Sequence, residues 1–127
     1  MPAVLALWET SRSAASVTPD SAEAVEALIT SRGSVLLLAL EADGLVGTLV
    51  VGWDGWRGNM YRLAVREDSR RRGIASKLVE AGHEHLRGVG ARRITALVGA
   101  EESEAAALWR AAGYERDPKI VRFVRNL

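Results

Sequence analysis

Cysteine is absent from this 127-residue sequence, and that absence removes several chemistries at once. No disulfide can staple the chain, no thiolate can hold a metal, and no cysteine can serve as a nucleophile or carry an acyl group as an enzyme thioester. Any acyl transfer must then be direct or use another nucleophile. Aromatic residues are scarce at 6%, and the formal net charge is only +1, so nothing pulls the chain globally toward nucleic acid or an acidic membrane. Apolar runs long enough to cross a bilayer are also lacking. The start Met1-Pro2-Ala3-Val4 has no basic-then-apolar signal pattern, which points to a cytoplasmic protein. What is present, 48% hydrophobic and 26% charged residues, suits one compact soluble domain over residues 1–127 with no room for a second.

Along the chain, Val4, Leu5, Leu7 and Trp8 predict a helix from Pro2 to about Ser11, with the proline in its first turn. Ser11 to Thr18 reads as a small polar connection. Asp20 and Glu23 have capping-box spacing and open a second helix through Ala24, Val25, Leu28 and Ile29. The period then changes. Val35 to Leu40 and Leu45 to Trp53 read as strands joined at Asp43-Gly44, with Gly47 and Gly52 marking bulges or close backbone contacts. Asp54 to Gly58 is a second turn, and a further strand ends at Val65. A helix from Gly73 to about Arg87 stops at Gly88 and Gly90, and a strand follows from Arg93 to Val98. The last helix runs from Ser103 to Ala112. Asp117-Pro118 then bends the chain into a final strand, Ile120 to Val124. Strand, crossover helix and strand imply a parallel pair inside an otherwise antiparallel sheet, hence a mixed α/β (α+β) fold.

The chemistry concentrates at Ser69-Arg70-Arg71-Arg72-Gly73-Ile74-Ala75-Ser76, a turn between an apolar strand and an amphipathic helix. Free N–H groups at the helix start carry partial positive charge, and Gly73 lets a ligand approach the main chain. A solvated charge run is the bland alternative, but position before a helix favours an anion site. His83 and His85, two apart on a helix, point to different sides and so suit surface roles better than a metal pair. Trp8, Trp53 and Trp56 suit packing better than substrate lining. No metal site is expected.

These elements and residues resemble the GNAT superfamily of acyl-CoA N-acetyltransferases from about Val35 to Phe123. Its phosphate motif matches Arg70, Gly73 and Ala75, the preceding strand carries Leu63-Ala64-Val65, and a second signature matches Ala105, Leu108-Trp109 and Gly113-Tyr114. The hairpin Gly52 to Gly58 looks like that of a small bacterial branch typified by YpeA. The resemblance implies acetyl-CoA as co-substrate. Its pantetheine arm would lie along Leu63, Ala64 and Val65 as an added strand, and its pyrophosphate on N–H groups from Arg71 to Ser76, Ile74 included. Arg71 and Arg72 would add charge-assisted hydrogen bonds of about 1.5–3 kcal/mol each. Trp109 would pack beside the cofactor arm. The thioester would lie where the parallel strands splay, polarised by an amide near Val65.

Proton handling departs from the family. Trp109 occupies the position of a tyrosine acid, and an indole N–H is no general acid. Asn59 and Leu97 occupy positions where other members carry glutamates. Either the amine arrives neutral or loses its proton to water, or Tyr61 and Asp54 substitute, ahead of Glu101, Glu102 and Tyr114. The family's first edge strand is expected to be missing, which would expose Val35 to Leu40 as an edge for a homodimer or leave a shortened chain with a marginal edge. The leading expectation is an acetyl-CoA-dependent N-acetyltransferase for a primary amine, small molecule or peptide amino terminus. The rival is a non-catalytic acyl-CoA-binding or regulatory module, and a nucleic-acid-binding domain is a distant third.

Overall fold

A computed structural model describes residues 1–11, 20–99 and 102–127. The connection expected from Ser11 to Thr18 falls almost wholly outside them, as does Glu101. Helices α1 (Pro2–Ser11) and α2 (Ala22–Thr30) precede strands β1 (Val35–Glu41), β2 (Gly44–Trp53) and β3 (Gly58–Val65). A short 3-10 turn, Glu67–Ser69, leads to α3 (Ile74–Val89), followed by β4 (Ile94–Ala96) and α4 (Ser103–Ala111). The sheet order is β1-β2-β3-β4. The first two pairings are antiparallel and β3 with β4 is parallel, so the mixed sheet is as expected.

Alternation along β2 divides the core. Leu49 and Val51 face α3, where Met60, Leu78, Val79, Leu86 and Trp109 join them. Val50 faces the other way, into a cluster of Val4, Leu7, Trp8, Val25 and Ala64 beneath α1 and α2. Burying Leu78, Val79 and Leu86 stabilises the α3 contact by about 1.5–3 kcal/mol each. Close approach of α3 depends on Gly82: a Cβ there would stand 2.6 Å from Met60 Cε and 3.2 Å from Leu49 Cδ2.

Several boundaries differ from expectation. The N-cap of α2 is Ser21, whose Oγ accepts from Ala24 N–H at 3.1 Å, so Asp20 is free for another role. Helix α3 passes Gly88 and ends at Gly90, which takes the left-handed backbone of a C-cap. β4 keeps only the centre of the expected strand. The strand expected at Ile120 to Val124 does not form: residues 115–127 carry no helix or strand, and Ile120, Val121, Phe123 and Val124 are exposed. Strand propensity alone orders nothing without a hydrogen-bonded neighbour. β1 is an edge strand, as expected, with Leu38 and Leu40 exposed.

The histidines are half-buried and engaged, not free surface groups. His83 Nε2 lies 2.8 Å from the Tyr114 hydroxyl and His85 Nε2 2.5 Å from the Gly33 carbonyl oxygen. They do point to different sides of α3, and each ties the helix to a distant segment.

Candidate functional site

β3 is longer than its parallel partner, and this creates the site. Register pairs run only from Gly58–Ile94 to Met60–Ala96. Leu97 N–H still donates to the Met60 carbonyl at 3.3 Å, and beyond it the strands part. Among the described residues, the edge of β3 toward β4 therefore has no strand partner from Tyr61 to Val65. Main-chain groups along such an edge can accept an extended ligand as an added strand.

That edge runs directly into the arginine turn. Arg70 Nε donates to the Val65 carbonyl at 3.2 Å, holding the turn against the strand end. Arg71 and Gly73 both take the left-handed region, with φ of 65° and 79°. The first backbone bond of α3 is Lys77 N–H to the Gly73 carbonyl, and no side chain caps the helix. The amides of Gly73, Ile74, Ala75 and Ser76 thus have no intrahelical acceptor. A Cβ on Gly73 would meet nothing within 4 Å, so the cradle is open to a ligand. These groups fit a phosphate-bearing ligand through amides, dipole and space together.

The three arginines separate. Arg70 folds back onto Val65, Arg72 is paired with Glu41 at the end of β1, and Arg71 extends from the turn with its side chain exposed. Behind them Arg66 bridges Asp43 at 2.8 Å and Asp68 at 2.6 Å. The Arg66 guanidinium holds both carboxyls below their ordinary range, through its hydrogen bond to each before its charge. The turn is thereby moored to the β1–β2 hairpin.

Of the expected site residues, Leu63, Ala64 and Val65 line the unpartnered edge, and Tyr61 stands where the splay begins. Its ring lies over β2: a Cβ on Gly52 would be 3.3 Å from the Tyr61 hydroxyl. Asp54 is not brought to the splay. Its Oδ1 accepts from the amides of Trp56 at 2.8 Å and Arg57 at 2.7 Å, closing the turn at the other end of β3. Those two N–H donors, Arg57 first, hold its carboxyl below the ordinary value, which suits a turn and not a base at neutral pH. Trp109 is a core side chain, 6% exposed and edge-on to Tyr114 at 4.9 Å, so it presents little surface to a ligand. Burial pushes the Tyr114 hydroxyl up to about 12, and that hydroxyl is engaged by His83 Nε2 and Met60 Sδ.

One group was missed in the sequence. Arg62, in β3 beside Tyr61, has φ of 54° and bonds Asp20 Oδ1 through Nη2 at 2.5 Å. Its guanidinium lies 5.7 Å from the Trp8 ring centroid, and its carbonyl accepts from Thr48 Oγ1 at 3.0 Å. No local pattern announces a pair 42 residues apart.

The model of the Acetyltransferase (GNAT) family matches residues 2–114, and the chain belongs to that family. Acetyltransferase SG1711 of Sodalis glossinidius (strain morsitans) is 29% identical over 93 residues, covering 73% of this chain and 66% of that protein. The match therefore spans slightly under two thirds of that relative. An aminoglycoside acetyltransferase from an uncultured soil metagenomic sample, solved with trehalose, superposes with a TM-score of 0.77 at 19% identity, over 98% of this chain and 86% of that one. AAC(6')-Iy, solved with the bisubstrate analogue CoA-S-monomethyl-acetylneamine, gives 0.73 at 17% identity, over 98% and 93%. At these identities the two structures establish the shared fold. No described helix is long and apolar enough to cross a membrane, and no cluster of three or more metal-ligating side chains occurs among the described residues.

Proposed function

We propose that this chain is an N-acetyltransferase that moves an acetyl group from acetyl-CoA directly to a primary amine. The observation that carries this reading is the continuity of the unpartnered β3 edge, Tyr61 to Val65, with the open amides at Gly73 to Ser76. An extended arm and a pyrophosphate on one ligand need those two features in that order. Leu63 to Val65 would hold the arm and the turn the phosphates. The amine nitrogen forms the new C–N bond to the acetyl carbon as the C–S bond breaks. The proton lost by nitrogen ends on the departing thiolate, carried by water or through Tyr61. Without Asp54 and Trp109 in the cleft, orientation supplies most of the rate.

The acceptor in this reading is a small-molecule amine or a peptide amino terminus. A fold neighbour described as an aminoglycoside acetyltransferase supports the small-molecule choice. The location is cytoplasmic, and the exposed β1 edge is the face for a homodimer, a version that a clean monomer in sedimentation at high concentration would remove. Binding without transfer is the competing reading, favoured by Asn59, Leu97 and Trp109 at the positions where proton handlers would stand. Calorimetry with acetyl-CoA, followed by thiol release across a panel of amines including aminoglycosides, separates the two. Micromolar binding with release supports the enzyme, binding without release the module, and no binding defeats both.

A further inference from the structure

The bulge in β3 is held by a clamp that reaches it from three segments of the chain. Thr48 pairs with Ala64 while Val50 pairs with Tyr61, so Arg62 and Leu63 together oppose the single residue Leu49. The extra residue reverses the alternation. Tyr61 and Ala64, three apart, both pack toward α1 and α2, whereas Met60 and Leu63 both pack toward α3. The whole unpartnered edge from Leu63 to Val65 therefore takes its orientation from this one irregularity.

Arginine is a poor choice for it. A left-handed backbone costs a non-glycine residue about 1–2 kcal/mol, and outliers of this kind concentrate at working sites. Here the conformation is over-determined. Asp20, just before α2, holds the guanidinium, and both side chains are mostly buried, 14% and 20% exposed. Trp8 from α1 lies beneath the guanidinium, and its Nε1–H donates to Thr48 Oγ1 at 2.8 Å. The Thr48 hydroxyl in turn donates to the Arg62 carbonyl. Thr48 is fully buried, and its hydroxyl is satisfied on both sides by this chain of bonds.

We infer that Asp20 and Thr48 are positioning residues: through Arg62 they lock the β3 bulge and so aim the Leu63–Val65 main chain at the reacting carbonyl. This rests on the proposed acetyl transfer. Neither residue is required to touch substrate, and Asp20 is held by Arg62 and does not face the splay as a base.

The test compares Asp20→Ala, Asp20→Asn and Thr48→Val, each alone and in an Arg62→Gly background. Three quantities are read: turnover with an accepted amine, the acetyl-CoA dissociation constant, and the carbonyl carbon resonance of bound carbonyl-labelled acetyl-CoA. Displacement of reacting groups by an ångström can cost about 100-fold, so Asp20→Ala is expected to lower turnover about tenfold or more. The bound resonance should move toward its free value while the dissociation constant stays within about threefold, because phosphate contacts are untouched. In the Arg62→Gly background the same change should cost under about twofold, since glycine takes the left-handed region unaided. Asp20→Asn keeps a hydrogen bond and should fall between, which guards against a merely unfolded variant. Unchanged turnover and resonance in Asp20→Ala overturn the inference, and so does an equal loss in both backgrounds. If wild-type protein binds acetyl-CoA but transfers to no amine, the resonance alone decides; if it does not bind, the functional reading falls and the inference with it.

Discussion

Gly73 offers a sharp perturbation because two separate costs can be read there. Its φ of 79° lies in the left-handed region, and a Cβ would meet nothing within 4 Å. Gly73→Ala therefore costs backbone strain and no clash, about 1–2 kcal/mol. At about 2.1 cal/mol/K of unfolding entropy per residue, that lowers Tm by roughly 4–8 °C for a chain of this size. Gly73→Asn tolerates the conformation better and should recover much of that loss. Gly73→Glu adds a negative charge to a cradle meant for pyrophosphate. At about 5 Å the repulsion is near 1 kcal/mol per phosphate charge in water and about 3 kcal/mol at an effective dielectric of 20. Acetyl-CoA affinity should thus fall by roughly 30-fold or more in Gly73→Glu, well beyond the fall in Gly73→Asn. Thermal melts and calorimetry on the three variants read both effects. If Gly73→Glu binds acetyl-CoA within about threefold of wild type while its Tm drops as expected, the phosphate does not lie at this turn.

Other consequences follow from side chains already described. Trp109→Ala should destabilise by about 3–5 kcal/mol, because it empties a core position, and chemical denaturation reads it; a change below 1 kcal/mol would return Trp109 to the cleft surface. Asp54→Asn should leave turnover unchanged while weakening the hairpin turn. Because folding lowers the Asp54 pKa from 3.8, its contribution is present above that value and lost as pH falls through the folded one. Wild type and variant should accordingly differ near neutrality and converge in acid denaturation scans. Tyr114, raised from 10.0 to about 12, works in the opposite direction. Its contribution is complete below pH 10.0 and disappears as pH rises through about 12, so Tyr114→Phe should remove that alkaline step from the stability profile.

How much of this was legible in the sequence depends on range. Asp43-Gly44, the capping glycine at 90 and the Gly73 turn act within a few residues, and each left a local signature. The mixed sheet followed from element order. What escaped depends on partners far along the chain. Asp20 resembles an N-cap until Ser21 is seen to take that role and Arg62 to claim the carboxylate. The bulge is hidden because it places arginine where glycine would have announced it. Asp54 was plausible by residue type and misplaced by topology, since the β2–β3 turn and the splay lie at opposite ends of β3. His83 and His85 were correctly sent to different sides of α3, but their hydrogen-bond partners, Tyr114 and Gly33, lie 31 and 52 residues away. The Ile120 to Val124 pattern has strand character without a strand beside it.

The central claim is that one ligand spans the β3 edge and the arginine-glycine turn. Titrating isotope-labelled protein with acetyl-CoA and following every backbone amide tests it most directly. The expected result is saturable shifts centred on Leu63 to Val65 and Gly73 to Ser76, moving together with one dissociation constant. Shifts confined to other surfaces, or two segments responding with different constants, would contradict it.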